Sequence, residues 1–133
     1  MRTINLNKEK LVSIFKLLPQ VKLVYFFGSR SSGKNGPLSD FDFAVYLDEK
    51  DAKKRFQTRV DLLDKLSRSL STDKIDLSIL NDIESPELRY SIIKDGRLIY
   101  KKEPFQLLLE PKILNEYFDF MYGLKKFGLT RNI

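Results

Sequence analysis

Three short runs of β-branched and aromatic residues do most to limit the folds open to this chain. They are VKLVYFF (Val21–Phe27), FDFAVYL (Phe41–Leu47) and KIDLSIL (Lys74–Leu80). Short runs of this composition that end at turn-forming residues are typical of strands buried in a sheet. We therefore predict three strands of one sheet, and we predict RLIYK (Arg97–Lys101) as a fourth strand or an extended segment.

Two amphipathic segments lie next to these runs in the sequence. Apolar residues recur at helical spacing between residues 7 and 18, where Asn7 is a candidate N-cap. A longer helix is predicted over residues 51–70. Its apolar residues are expected to lie along one side of the helix: Phe56, Val60, Leu63, Leu66 and Leu70.

The C-terminal part adds a helix with clear end signals and a helical tail. In Ser85–Gly96, a serine cap precedes a proline at the first helical position, and a glycine closes the segment. The tail, residues 103–133, is predicted to be helical after Pro111. Helices and strands that alternate around one sheet predict the α/β (α+β) class. We expect a single domain over residues 1–133, with a mixed sheet of about four strands and flanking helices.

The absence of two residue types limits the chemistry. The 133 residues include no histidine and no cysteine, which excludes Ser-His-Asp and Cys-His catalysis, His-ligated zinc and disulfides. Acid–base or metal chemistry must then depend on Asp and Glu, with Lys, Arg and Tyr assisting. The formal charge of +6 favours an anionic partner. No apolar run is long enough to span a bilayer and no signal peptide is evident, so we expect a cytoplasmic protein without membrane contact.

GSRSSGKN (Gly28–Asn35) matches the P-loop pattern G-x-x-x-x-G-K as text. A P-loop requires Ser or Thr after its lysine to bind magnesium, and this chain has Asn35. It also requires a helix that continues from the lysine, which Pro37 would interrupt. The match therefore does not predict a P-loop. We interpret the segment as part of a different kind of phosphate-binding site.

Asp40 and Asp42 open the second predicted strand. Side chains alternate along a strand, so both carboxylates project from one side of the sheet while Phe41 and Phe43 turn to the other. Two carboxylates about 6 to 7 Å apart on one face are costly to bury unless a cation neutralises them. Such oxygen ligands, completed by a substrate phosphate, are typical of magnesium sites.

Asp76 lies in an apolar run and has the same strand phase. If its strand lies beside Phe41–Leu47, Asp76 can converge on Asp40 and Asp42. Three carboxylates on one face can hold two metal ions, which would bind the attacking and leaving oxygens of a displacement at phosphorus. Asp76 would also be placed to accept the proton of an attacking hydroxyl.

Gly28 and Ser29 follow the first predicted strand directly. Glycine lets a phosphate approach the backbone closely, and Ser29 supplies a hydroxyl and an N–H at the start of a turn. Arg30 and Lys34 are further candidates to offset phosphate charge, although both are equally suited to a solvent-facing position.

The arrangement Gly28-Ser29, then Asp40-x-Asp42, then Asp76 on a later strand resembles the signature of the polymerase β-type nucleotidyltransferase superfamily. The segments GSRSSG, SDFDFAVYL and KIDLSIL are similar to its minimal nucleotidyltransferase branch, and within that branch to the MntA-type antitoxins. The similarity covers most of the chain.

The resemblance implies a nucleotidyltransferase that transfers AMP from ATP with release of pyrophosphate and depends on Mg²⁺, with two ions expected. The implied acceptor is a tyrosine of a partner HEPN-family RNase toxin, in a type VII-like toxin–antitoxin pair. The implied nucleotide-binding residues are Gly28, Ser29 and Arg30. The implied metal-binding and catalytic residues are Asp40, Asp42 and Asp76.

The loop departs from the family pattern at one place. Relatives often carry a second basic residue there, where this chain has Ser31-Ser32. The role of that residue therefore does not transfer, and Lys34 is a candidate substitute.

Two other functions stay open on the sequence alone. One keeps the chemistry but uses a small-molecule acceptor, although such enzymes usually carry an additional acceptor-binding domain. The other is an antitoxin that neutralises its toxin by binding without catalysis, for which three converging carboxylates would serve no purpose. Direct nucleic-acid binding is not expected, because no helix-turn-helix, RRM or zinc pattern is present.

Overall fold

A four-stranded sheet with helices on both faces forms the framework of the molecule. The computed structural model describes residues 7–27 and 41–128. The strands are β1 (Val21–Phe27), β2 (Phe41–Leu47), β3 (Ile75–Ile79) and β4 (Arg97–Lys101). The helices are α1 (Lys8–Lys16), α2 (Ala52–Leu70), α3 (Pro86–Asp95) and α4 (Phe105–Lys126), and a 3₁₀ turn at Leu80–Asp82 follows β3. All four predicted strands are confirmed, and β3 is one residue shorter at each end than predicted.

The sheet is mixed, with the strand order β3-β2-β1-β4. The central strand β1 pairs antiparallel with both β2 and β4, whereas β2 and β3 are parallel. A parallel pair needs a crossover connection, and α2 supplies it between β2 and β3. The predicted α+β class and mixed sheet are therefore confirmed.

The two faces of the sheet carry separate hydrophobic clusters. Strand side chains such as Phe43 and Val45 pack on one face with residues of α1 and α2, among them Phe15 and Leu66. The other face carries a smaller cluster built on α3 and α4. Its buried members are Leu23, Tyr25, Ala44, Leu80, Ile92, Leu109 and Ile113. We call these two sides the α1/α2 face and the α3/α4 face.

Side-chain caps begin α1 and α3 where the sequence indicates. The Asn7 side chain accepts a hydrogen bond from the Lys10 amide, and the Ser85 hydroxyl accepts one from the Leu88 amide. Pro86 occupies the first helical position of α3, as predicted.

Within the described residues, no helix is long and apolar enough to cross a membrane.

The helix α2 packs only part of its predicted apolar line against the core, namely the buried Leu66 and the partly buried Leu63 and Leu70. Its buried residues are Thr58, Leu62 and Leu66, whereas Phe56 and Val60 are 61% and 48% exposed. The buried line shares Leu66 with the predicted line but is centred on Leu62 and includes a threonine, which apolar spacing does not predict. Thr58 can be buried because its hydroxyl is satisfied, accepting from Gln20 Nε2 at 2.7 Å.

Two arginines fix the orientation of α2 about its own axis. Arg55 Nη2 lies 2.7 Å from a carboxylate oxygen of Asp82, in the turn after β3. Arg59 Nε donates to the main-chain carbonyl of Leu77 at 2.8 Å, which satisfies an acceptor on the edge strand β3. Charge-assisted hydrogen bonds of this kind are stronger than neutral ones, so they favour the face that buries Leu62 over the face that would bury Phe56.

The C-terminal helix begins earlier than predicted. It was expected to follow Pro111, yet α4 starts at Phe105 and Pro111 lies inside it. A proline there removes one helical hydrogen bond. The residues on either side of it, Leu109 and Ile113, are buried against the sheet, so tertiary packing holds the helix together across the proline.

A partly buried hydrogen bond joins the strand β1 to α4. Tyr25, which is 1% exposed, donates its hydroxyl to Glu110 Oε2 at 2.6 Å. Burial raises the pKa of Tyr25 above its ordinary value, and the hydrogen bond and negative charge of Glu110 raise it further. The folded state therefore holds this phenol neutral and this carboxylate paired.

Replacing Tyr25 with Phe should destabilise the protein, because the half-buried Glu110 carboxylate loses its short hydrogen bond. We expect a decrease of about 1–3 kcal/mol in the free energy of unfolding, measured by urea denaturation at pH 7. Tyr122→Phe is the control, since Tyr122 is 67% exposed, and it should change little. Equal stability of Tyr25→Phe and wild type would contradict this role.

The same contact predicts a pH dependence at the alkaline end. The pKa of Tyr25 is higher in the folded state than in the unfolded chain, where a tyrosine titrates near about 10. The stabilisation is therefore complete below that pH and is lost as the pH rises above it. Wild type should lose stability above about pH 10 more steeply than Tyr25→Phe in parallel denaturation series.

Candidate active site

A row of three paired residues crosses the sheet at one edge. Phe27, the last residue of β1, is the register partner of Asp42 in β2, and Asp42 is the partner of Asp76 in β3. Adjacent strands lie about 4.8 Å apart, so the backbones of the two aspartates are direct neighbours. This edge runs across the strands, at the end of the sheet where β1 ends and where β2 and β3 begin.

Both carboxylates project from the α3/α4 face. Ala44, two residues further along β2, belongs to the cluster on that face, whereas Leu77, next to Asp76 in β3, belongs to the cluster on the opposite face. Strand alternation therefore gives Asp42 and Asp76 the same side. Asp42 is half-buried and Asp76 is exposed. The predicted neighbourhood of these strands and the shared side of the two aspartates are confirmed, whereas their metal-binding and catalytic roles stay predictions.

The remaining predicted site residues lie outside the described part of the chain. They are Gly28, Ser29, Arg30 and Asp40, together with the candidate substitute Lys34. The residues that flank this segment are placed: Phe27 pairs with Asp42, and Phe41 pairs with Ile75 beside Asp76. Both flanks therefore lie at the edge that carries the two aspartates.

The donor set of this edge suits a hard divalent cation. Carboxylate oxygens are the ligands that Mg²⁺ prefers, and Mg²⁺ is usually bound by one or two carboxylates, water and substrate phosphate. Asp42 and Asp76 meet that requirement as neighbours on one face. Over residues 7–27 and 41–128, no group of three or more acidic side chains is close enough to hold a metal ion. Asp40, the third predicted ligand, is outside those ranges.

A glycine packs directly against the aromatic end of this row. A Cβ added to Gly96, at the junction of α3 and β4, would lie 2.6 Å from Cζ of Phe27 and 2.6 Å from the Ile92 carbonyl oxygen. Carbon atoms do not approach so closely, so only glycine leaves the Phe27 ring in place. Gly96 has φ −76° and ψ 154°, which any residue adopts. Glycine is required here because there is no space for a side chain, and not because of its backbone conformation.

Sequence reasoning missed this contact. Gly96 was predicted only to close α3, which it does as the C-cap. Its contact with Phe27 joins residues 69 positions apart in the chain, and a glycine after a helix has the same local signal with or without such a neighbour. The Gly96–Phe27 contact supports the row from the α3 side, next to Asp42.

A strand that ends beside paired aspartates, on a small mixed sheet with helices on both faces, agrees with the nucleotidyltransferase fold that the sequence resemblance implies. The family comparison agrees. Residues 9–105 match the model described as "Polymerase beta, Nucleotidyltransferase". The chain belongs to this nucleotidyltransferase family.

The similar proteins include an adenylyltransferase and two toxin–antitoxin structures. The protein adenylyltransferase MntA of Aphanizomenon flos-aquae (strain 2012/KM1/D3) is 28% identical over 102 residues, covering 71% of this chain and 67% of the relative. A solved toxin–antitoxin structure with AMP-PNP has a TM-score of 0.69 and 25% identity, covering 92% of this chain and 95% of that one. A mutant MntA–HpeT toxin–antitoxin structure has a TM-score of 0.68 and 26% identity, with the same coverage.

Gly96→Ala should disturb both stability and activity, because the new Cβ displaces the Phe27 ring or the end of α3. We expect a loss of about 1–3 kcal/mol in the free energy of unfolding, with reduced nucleotidyl transfer at a temperature where the variant is still folded. Urea denaturation measures the stability, and initial rates with labelled ATP measure the transfer.

Gly123→Ala is the matched control for this substitution. Gly123 lies within α4, and a Cβ there meets nothing within 4 Å. Alanine favours a helix over glycine by about 0.5–1 kcal/mol, so this variant should be more stable than wild type and equally active. The importance of the Gly96 contact would be refuted if both alanine variants behaved alike.

Proposed function

We propose that the protein is a Mg²⁺-dependent adenylyltransferase that transfers AMP from ATP to a tyrosine of a HEPN-family toxin. In this proposal it acts in the cytoplasm as the antitoxin of a type VII-like toxin–antitoxin pair. The observation that carries it is the register pairing of Asp42 with Asp76 on one face of a nucleotidyltransferase sheet.

The similar proteins support the choice of nucleotide and acceptor. The curated relative is named a protein adenylyltransferase, and the solved neighbours are toxin–antitoxin complexes, one of them with the ATP analogue AMP-PNP. A binding-only antitoxin would not need two carboxylates paired at one sheet edge.

Each residue has a defined part in the proposed reaction. Gly28, Ser29 and Arg30 would bind the triphosphate, and Asp40 with Asp42 would bind metal. Magnesium, when bound, neutralises phosphate charge and polarises the α-phosphoryl group. The acceptor phenol oxygen forms a bond to the α-phosphorus while the bond from that phosphorus to the bridging oxygen breaks, and pyrophosphate leaves.

Asp76 would receive the proton in this scheme. The phenol must lose its proton as its oxygen bonds to phosphorus, and Asp76 is an exposed carboxylate beside Asp42. A carboxylate within hydrogen-bond reach of the acceptor hydroxyl can act as the general base. An exposed position at the edge of the sheet also leaves room for the acceptor to approach.

Intact-mass spectrometry of a HEPN toxin, after incubation with this protein, ATP and Mg²⁺, tests the function directly. We expect the toxin to gain mass in whole AMP units. The Asp40→Asn/Asp42→Asn variant should abolish the gain, because it removes two of the negative charges that would hold the metal.

The matched control carries the same double change elsewhere. Asp61→Asn/Asp64→Asn removes two carboxylates from α2 that form exposed i,i+4 ion pairs with Lys65 and Arg68. Such pairs contribute little to stability, so this variant should modify the toxin like wild type. A toxin left unmodified but still neutralised, with ATP intact, would overturn adenylyl transfer and favour neutralisation by binding.

Asp76→Asn should leave the fold intact and slow the reaction. The substitution keeps the size of an exposed side chain while removing the proposed base, and general-base catalysis contributes about 10²–10⁴-fold. We expect kcat to decrease by about 10²–10⁴-fold, with a smaller effect on the apparent KM for ATP. Initial rates with labelled ATP measure this, and an unchanged kcat would remove Asp76 from the catalytic set.

A further inference from the structure

The outer side of α4 carries a line of exposed apolar residues that the fold does not cover. Its members recur at intervals of three and four residues, so they lie on one side of the helix. They are Leu107, Pro111, Leu114, Phe118 and Tyr122. Leu107, Phe118 and Tyr122 are 72%, 57% and 67% exposed. We call this set the α4 stripe, and it extends about 22 Å along the helix axis.

The distal half of α4 has little support from the rest of the molecule. After Ile113, no residue of the helix is fully buried. Its contacts there are to α3, through the Tyr90–Tyr117 stack at 4.0 Å and the Arg89–Glu116 ion pair at 3.4 Å. Exposed contiguous apolar surface of this kind marks an interaction site.

We infer that the α4 stripe is the docking surface for the protein acceptor, and that it receives an amphipathic helix with acidic flanks; this inference rests on the proposed function. The spacing of Leu107, Pro111, Leu114 and Phe118 follows the 4-3-4 pattern of a helix–helix seam. A seam of this pattern packs against a second helix.

Charge distinguishes an acidic partner from a second copy of this chain. The exposed charged residues of α4 are three lysines, Lys112, Lys125 and Lys126, and one acid, Asp119. The other two acids of the helix, Glu110 and Glu116, are engaged with Tyr25 and Arg89. A second copy, itself of net charge +6, would place lysines against lysines, whereas acidic flanks would complement them.

Two further features connect the stripe with the acceptor. α4 packs on the α3/α4 face, from which Asp42 and Asp76 also project, so a protein bound to α4 lies on the catalytic side of the sheet. The family match ends at residue 105, where α4 begins. A helix outside the matched catalytic region is a suitable place for contacts particular to one acceptor.

Leu107→Gln/Tyr122→Gln removes two apolar side chains from the stripe while keeping good helix formers in α4. The control, Leu17→Gln/Phe56→Gln, makes a comparable change at the C-cap of α1 and within α2, where the side chains are 67% and 61% exposed. AMP transfer is measured against the concentration of a HEPN toxin by intact mass. Calorimetric titration of the toxin into each variant gives Kd, and circular dichroism confirms folding.

We expect the α4 variant to raise both Kd and the KM for toxin by roughly tenfold or more, because apolar anchors at interface centres dominate affinity. Its kcat at saturating toxin should stay within about twofold of wild type, and the control should match wild type throughout. Lys125→Glu/Lys126→Glu should also weaken binding, by less at high salt.

The other outcomes each decide the matter. Unchanged Kd and KM in the α4 variant, or equal weakening in the control, would overturn the inference. The inference would also be overturned if the wild-type protein, without toxin, dimerised with rising concentration in sedimentation and the α4 variant did not. A second copy of the chain would then occupy the stripe. If wild type binds the toxin without modifying it and the α4 variant does not bind, the proposed chemistry fails while the docking surface stands.

Discussion

The register that places Phe27, Asp42 and Asp76 in one row across three strands is the constraint on which the candidate site depends. Because strand side chains alternate, a slip of one residue would move Phe43 and Val45 out of the α1/α2 core and turn Asp42 into it. Full burial of each such apolar side chain contributes about 1.5–3 kcal/mol, against a total stability of about 5–15 kcal/mol for a typical domain. Core packing on one face therefore fixes the carboxylates on the other.

The two faces of the sheet are specialised in different ways. The α1/α2 face buries the larger cluster, and Arg55 and Arg59 fix α2 against the edge strand through Asp82 and the Leu77 carbonyl. The α3/α4 face holds the two aspartates at one edge and a helix whose outer side is apolar and exposed. Catalysis and recognition of a protein acceptor would thus share one side of the sheet, while the other side supplies stability.

Part of the fold and of the site follows from local signals. Each strand was predictable because β-branched and aromatic runs end at turn-forming residues, and Asn7 and Ser85 cap helices through contacts to residues three positions away. The rotation of α2 and the start of α4 were not predictable in this way. The first depends on partners in another strand and turn, and the second on burial of Leu109 and Ile113 around a proline.

The sequence by itself determined that Asp42 and Asp76 would face away from the apolar side of their strands, because alternation is a property of each strand alone. The tertiary structure decided that these two strands are neighbours in parallel register, since α2 must cross over the sheet to connect them. It also decided that Gly96 would meet Phe27 and that the α4 stripe would be left uncovered. These last features depend on contacts between distant parts of the chain, for which no local pattern in the sequence provides a signal.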